Sequence, residues 1–303
     1  MKAIYKRELK AYFHSMTGWL FLAANIFLSG LYFFALNLRF GYSSLANTIY
    51  NILFLLLITI PILTMRMMSE ERRQKTDQLI LTSPVSVGRV VLGKYLAAAT
   101  IFTLSTLVIA AYPLILSRFG AVSMGESYTA LLAYYLYGLT CIAIGLFISS
   151  VTESQVIAAV LSFGALFLGY MMNSITGLIG DHLITKVLGA YDLYTPLQSF
   201  MSGCLDLTGV VYFVSVTALC LFLTCQCVQK RRWSMTTKKL TTGMFSVAMI
   251  VVGFAVAVAV NMVVKEMPSS WTAVDATSTK LYSLTDTTKD YVKNLSQDVT
   301  IYV

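Results

Sequence analysis

The chain has 303 residues, 57% hydrophobic and only 12% charged, with a mean hydropathy of +0.73 and a formal net charge of +8. A water-soluble domain must cover its surface with polar groups, so this composition excludes one. The apolar residues come in long blocks rather than in stripes of period 2 or 3.6, and a polytopic α-helical membrane protein is the class that fits.

Residues 1–16 precede the first block. Lys2, Lys6, Lys10 and His14 recur every fourth residue, with Tyr5, Leu9, Tyr12, Phe13 and Met16 on the other side. This pattern predicts an amphipathic helix lying along a membrane surface with a basic face toward anionic lipid. Seven spans follow, at about 17–38, 45–65, 93–116, 128–149, 155–175, 209–228 and 244–264. The first block is too long and wrongly flanked for a cleaved leader.

Between the second and third spans lies the longest charged interruption, Met65 to Lys94. Arg66, Arg72, Arg73, Lys75, Arg89 and Lys94 alternate with Glu70, Glu71 and Asp77. Glu71/Lys75 and Arg73/Asp77 stand at i,i+4 spacing, which predicts a short exposed helix stopped by Thr82-Ser83-Pro84. On pattern alone this segment is either a solvated connector or a docking element for a cytoplasmic partner.

Beyond the fifth span, residues 176–208 are too irregular for a simple loop. Gly177, Gly180 and Gly189 punctuate them and Pro196 breaks them, yet Leu178, Ile179, Leu183, Ile184, Val187 and Leu188 are apolar. Short helices dipping into the outer leaflet fit this pattern, and an amphipathic surface loop is the alternative. After the seventh span the character changes. Ser283-Leu284-Thr285-Asp286 fits a capping box before a helical face of Leu284, Thr288, Tyr291, Val292 and Leu295, and Val299 to Val303 alternate as a strand does. One strand is not stable without a sheet, so either the chain continues past Val303 or a partner supplies the neighbours, and the expectation is the start of an α/β extracytoplasmic domain.

Lysine and arginine counts orient the spans. With the N-terminus inside, that side carries Lys2, Lys6, Arg7 and Lys10, the six cations of the 65–94 segment, and Lys230, Arg231, Arg232, Lys238 and Lys239. The outer side carries Arg39, Arg118, Lys186 and Lys265, and seven spans put the tail outside.

Catalytic chemistry is hard to find in this sequence. Gly88 to Lys94 reads G-x-x-x-x-G-K, but Tyr95 stands where a phosphate loop needs Ser or Thr, and no strand precedes it. His14 and His182 fall on opposite sides of the membrane, and no Ser-His-Asp or His-Glu-x-x-His set is present. No span carries a charge near its centre, which argues against a proton- or sodium-coupled carrier. Asn25, Asn51, Asn173 and Asn261 lie in or near spans, where amides more often join helices than bind ions. Cys141, Cys204, Cys220, Cys225 and Cys227 form no C-x-x-C pair and read as small inert thiols. The chain is thus not expected to be an enzyme, to hold a metal or cofactor, or to bind nucleic acid.

Ser69-Glu70-Glu71-Arg72-Arg73, Thr76-Asp77-Gln78-Leu79, Thr82-Ser83-Pro84-Val85-Ser86 and Leu92-Gly93-Lys94 together resemble the first cytoplasmic loop of type-2 ABC exporter permeases. Ile80 stands where that family usually has Leu. Phe200 to Asp206, Val211-Tyr212-Phe213 and Arg231-Arg232-Trp233 are similar to the end of the gliding-motility (GldF-like) permease, and Leu281 to Thr285 with Val299 to Val303 are similar to the opening of its GldG-like auxiliary partner. The resemblance implies an interfacial helix (1–16), a six-span permease (17–233), a basic linker with a seventh span (234–265) and a fused GldG-like start (266–303). It implies an export subunit of the bacterial cytoplasmic membrane, paired with a second permease copy or homologue. A separate cytoplasmic ATPase would carry ATP and magnesium and dock on Glu70, Glu71, Arg72, Lys75, Thr76, Asp77, Leu79 and Pro84. A mechanotransmitting or assembly anchor that moves no substrate is the rival expectation.

Overall fold

The computed structural model describes residues 1–76, 85–180, 189–233 and 239–277, with single positions 280, 288, 290, 291 and 294 beyond. Helix α1 (Lys2–His14) turns at Ser15 into α2 (Met16–Tyr32), whose last turns widen into a π-helical stretch over Phe33–Arg39. Then come α3 (Ala46–Thr64), the short α4 (Ser69–Arg73), α5 (Val87–Ala110) and the short α6 (Tyr112–Leu116). The long helices α7 (Met124–Val151) and α8 (Gln155–Ile179) precede a short α9 (Thr195–Met201) and strand β1 (Cys204–Asp206). Helices α10 (Leu207–Trp233) and α11 (Lys239–Lys265), the turn α12 (Ser269–Thr272) and strand β2 (Ala273–Asp275) complete the described chain. Seven of these segments are long and apolar enough to cross a membrane. The protein is therefore an all-α polytopic membrane protein with little sheet.

Helix α7 is the centre of the bundle, packing on α3, α5, α8, α9 and α10. Tyr134, Tyr137, Cys141, Ile142 and Leu146 on it are fully buried. Lipid tails are as apolar as leucine, so helices in a membrane associate through close packing and polar links rather than through exclusion of water. Tyr134 on α7 donates to Asn25 Oδ1 of α2 at 3.0 Å. Thr140 on α7 meets the Phe213 carbonyl and Thr217 of α10 at 3.2 and 3.0 Å. Asn261 Nδ2 of α11 donates to Ser215 Oγ of α10 at 2.7 Å. Two of the four expected amide joints, Asn25 and Asn261, thus link helices. Asn51 donates to its own helix at Asn47 O, and Asn173 is exposed.

Sequence missed a stronger amide, Asn37. Buried beneath the α2–α3 turn, it donates from Nδ2 to the carbonyls of Tyr42 and Ser44 at 2.8 and 3.0 Å and accepts from Thr48 at 2.6 Å. It replaces the backbone partners that the six-residue reversal at 40–45 leaves out.

Boundaries shift where sequence pattern is weakest. The third span begins at Val87 rather than 93, because its first turns pack on α1 instead of facing water. The fifth runs on to Ile179, and Gly180, at a φ of +79°, ends it. Pro196 starts a helix instead of breaking the segment, since in a first turn its missing N–H costs nothing. That helix, α9, buries Leu197 and Phe200 against the bundle, and the apolar residues 183, 184, 187 and 188 lie outside the described residues. The capping box at 283–286 and the alternating run 299–303 also lie outside them.

Replacing a buried bridging amide leaves its partners unsatisfied, at about 1–3 kcal/mol. Asn37→Ala should therefore lower the denaturation midpoint in mixed detergent micelles clearly, while Asn51→Ala, whose bond is local and exposed, should leave it unmoved.

Candidate coupling site

The site is built where α3 ends. Pro61 sits in the last turn of α3, and the helix closes with Met65 N donating to Pro61 O at 2.9 Å. The chain then turns through Met65 to Met68 and re-enters a helix only for Ser69–Arg73. Such a break strands backbone groups that must find partners. Ser149, near the end of α7, supplies them: its Oγ accepts from Met68 N and Ser69 N at 3.1 and 3.2 Å and donates to Met65 O at 3.2 Å. One hydroxyl thus fastens the foot of the loop to the central helix.

Around this foot the charges form a closed cluster. Lys94 of α5 is 2% exposed, and its Nζ lies 2.9 Å from Glu71 Oε1 of α4 and 3.2 Å from Glu8 Oε1 of α1. The same nitrogen donates to the Met67 carbonyl at 2.8 Å. Arg7 of α1 completes the ring, with its guanidinium 2.6 Å from Glu8 and 2.9 Å from Glu71. Two cations, Arg7 and Lys94, and two anions, Glu8 and Glu71, cancel. A lysine this deep requires such neutralisation, since the unpaired ion costs several kcal/mol. The hydrogen bonds that Arg7 donates to Glu8, together with the nearby Glu8 and Glu71 charges, hold its guanidinium above the ordinary range against the opposing effect of burial.

Two further pairs brace the loop. Arg66 grips Glu70 in bidentate fashion at 2.8 and 3.0 Å. Arg72 reaches across to Glu153 in the α7–α8 turn at 2.8 Å and to the Val151 carbonyl. After Arg73 the helix stops, and Lys75 adopts a φ of +58°. A non-glycine residue there costs about 1–2 kcal/mol, so the reversal depends on its surroundings. The expected Glu71/Lys75 pair is therefore replaced: the helix ends before Lys75, and Glu71 turns inward to Arg7 and Lys94.

The candidate residues thus divide. Glu70, Glu71 and Arg72 are half-buried, Glu71 and Arg72 held by the bundle and Glu70 by Arg66 of the same loop, whereas Lys75 and Thr76, with Arg73 and Gln74, are exposed at the tip. Asp77, Leu79 and Pro84, and the pair Arg73/Asp77, lie outside the described residues. Sequence reasoning left Arg7, Glu8, Ser149 and Glu153 out of this site and took Lys94 as a loop cation at the start of a span, not as the buried partner of Glu71 and Glu8. Glu8 is the sole acid of α1 and Glu153 the sole acid of its turn, a signal available in the sequence. The G-x-x-x-x-G-K run lies inside α5, with its lysine spent on the ion cluster.

Breaking a buried pair by removing one partner costs about 3–5 kcal/mol. Lys94→Met should destabilise the protein by that order in the same micelle denaturation, and adding Glu8→Gln and Glu71→Gln should restore most of the loss. A neutral Lys94→Met would show that the cluster is not closed.

A family model described as ABC-2 family transporter protein matches residues 39–260, from the end of the first span through most of the seventh. No curated protein is matched by the chain. The match covers most of the sequence and runs through the whole loop and its foot. With its seven helices long and apolar enough to cross a membrane, the chain belongs to the ABC-2 transporter family and is a multi-pass membrane permease of an ABC export system.

Proposed function

We propose that the protein is the membrane subunit of an export system driven by a separate cytoplasmic ATPase, which docks on the tip of the 66–94 loop. The observation that carries this reading is the division of the loop. Arg73, Gln74, Lys75 and Thr76 face outward, while Glu71 and Arg72 anchor the tip to α1, to α5 and to the α7–α8 turn, and Glu70 is held by Arg66 within the loop. A surface meant only for water needs no such bracing, and a surface that receives force does. Pressure on the tip passes through Glu71 and Lys94 into α1 and α5, and through Ser149 and Arg72 into α7.

The basic end of the bundle, with α1, the loop and Lys230, is placed in the cytoplasm, which sets the tail beyond Lys265 outside. The burial of Lys94 removes one cation from the loop's outward charge and leaves the asymmetry intact. The proposed units are the interfacial helix at 1–16, the six-span permease at 17–233, the linker and seventh span at 234–265 and an extracytoplasmic start from 266. The motifs at 200–206 and 281–285 support assignment to the gliding-motility (GldF-like) type with a GldG-like fusion, in a bacterial cytoplasmic membrane. Two permease subunits and two ATPases, with ATP and magnesium held by the latter, complete the proposed assembly.

A second reading is favoured by one observation: the segment after α11 pairs as a strand with the bundle through β1 and β2. A permease built to relay force to an extracytoplasmic domain, moving no substrate, would have such a connection. Deletion after Lys265 separates the readings, because an exporter keeps its flux and a relay loses its output.

The docking assignment makes a two-part prediction. Arg73→Glu with Lys75→Glu should lower ATPase copurification by about tenfold or more, a change of roughly 1.4 kcal/mol in affinity, and leave the denaturation midpoint unmoved. Glu71→Lys with Asp77→Lys should abolish copurification and lower the midpoint as well. Full ATPase recovery with both pairs of substitutions would overturn the assignment.

A further inference from the structure

At the end of the bundle opposite α1, the chain leaving α11 folds back onto the permease. Strand β2 pairs antiparallel with β1, setting Cys204 opposite Asp275, Leu205 opposite Val274 and Asp206 opposite Ala273. Ala276 N donates to the Gly203 carbonyl at 3.0 Å, and Thr277 is 6% exposed, its backbone and hydroxyl both bonded to Asp275 at 2.9 and 2.6 Å.

Two glycines make the room. A Cβ at Gly125, in the first turn of α7, would stand 1.7 Å from the Ala276 carbonyl oxygen. One at Gly203, whose φ is +86°, would stand 2.8 Å from Thr277 Cγ2 and 2.9 Å from Glu126 Cγ. The tail is therefore seated main chain against main chain in a notch formed by the start of α7 and the approach to α10. No rotamer change of a side chain releases such a contact.

We infer that this notch is a docking surface for the chain's own segment 266–277, and that α7 is the rod joining it to the coupling loop. One end of α7 holds the loop through Ser149 and the other holds the tail through Gly125. The helix between them has 28 residues, about 42 Å at 1.5 Å per residue, enough to cross a membrane. Within its apolar span α11 stays unburied at the edge of the bundle and leans mainly on α10. The strand pair is what ties its far end to α7. Movement at the loop foot is then delivered to whatever follows residue 277 without a second hinge. That delivery rests on the ATPase reading above, but the seating of the segment does not.

The test uses the native thiol of Cys204. Directly opposed residues of an antiparallel pair have Cα atoms about 4.5–5.5 Å apart, within disulfide range. Asp275→Cys in the full-length membrane protein, treated with copper–phenanthroline as oxidant, should form the Cys204–275 disulfide in most molecules. Both thiols should then be lost to maleimide–polyethylene glycol. Gly125→Val in that background should restore labelling by about tenfold. Ala276→Pro, which removes the N–H to Gly203 and leaves α7 untouched, should do the same and separate loss of seating from misfolding of the helix. In the copurified complex, the locked joint should keep ATP turnover within about twofold of the reduced protein. Three results overturn the inference: no disulfide in Asp275→Cys, a disulfide that survives both disrupting substitutions, or a lock that cuts turnover about tenfold. Failure of the ATPase reading looks different, since no ATPase copurifies while cross-linking is unchanged.

Discussion

A single buried ammonium, that of Lys94, sets the requirement that the basic end of this protein must meet. Desolvating it costs several kcal/mol unless carboxylates are brought to it. The carboxylates come from elements far away in sequence, Glu8 on the N-terminal helix and Glu71 on the loop after the second span. Packing α1 against α5 therefore also fixes where α4 can sit. The exposed tip inherits a defined position from an ion cluster it does not itself belong to.

Helix α7 extends that constraint through the molecule. It is the most enclosed span, it mends the broken backbone at the loop foot with Ser149, and its opposite end carries Gly125 beneath the returning tail. The peripheral spans α2, α8 and α11 hold to this frame by packing and a few polar links, such as Asn25 to Tyr134 and Asn261 to Ser215. Such links are worth about 1 kcal/mol each in a membrane, so peripheral helices shift more readily than the frame. An exporter that changes shape needs that contrast between a stiff transmission path and movable walls.

How far sequence reaches follows from which forces act locally. Long apolar blocks report membrane crossing directly, so the spans and their number were legible, as was the basic amphipathic α1. Span ends were less so: α5 starts early because it packs on α1, which no local pattern records. The loop's charges were legible as a cluster, but their partners were not. Spacing suggested Glu71 with Lys75, whereas the left-handed turn at Lys75 and the buried Lys94 redirect Glu71 inward. Pro196 reads as a breaker in isolation and becomes a helix start once α9 has α7 to pack on. Long-range pairings such as Arg7 with Glu71 or Cys204 with Asp275 leave no periodic trace at all.

The central claim is that α1, the loop foot and α5 move as one body when the proposed ATPase acts. Pulsed electron spin distance measurement tests it directly, with spin labels at Ala11→Cys and Thr76→Cys, both exposed positions, in a background whose native cysteines are serine. The account predicts one narrow distance distribution that is the same in the resting complex and in the complex trapped with ATP. A distribution that broadens or shifts on ATP trapping would show the ion cluster opening during the cycle, and would contradict it.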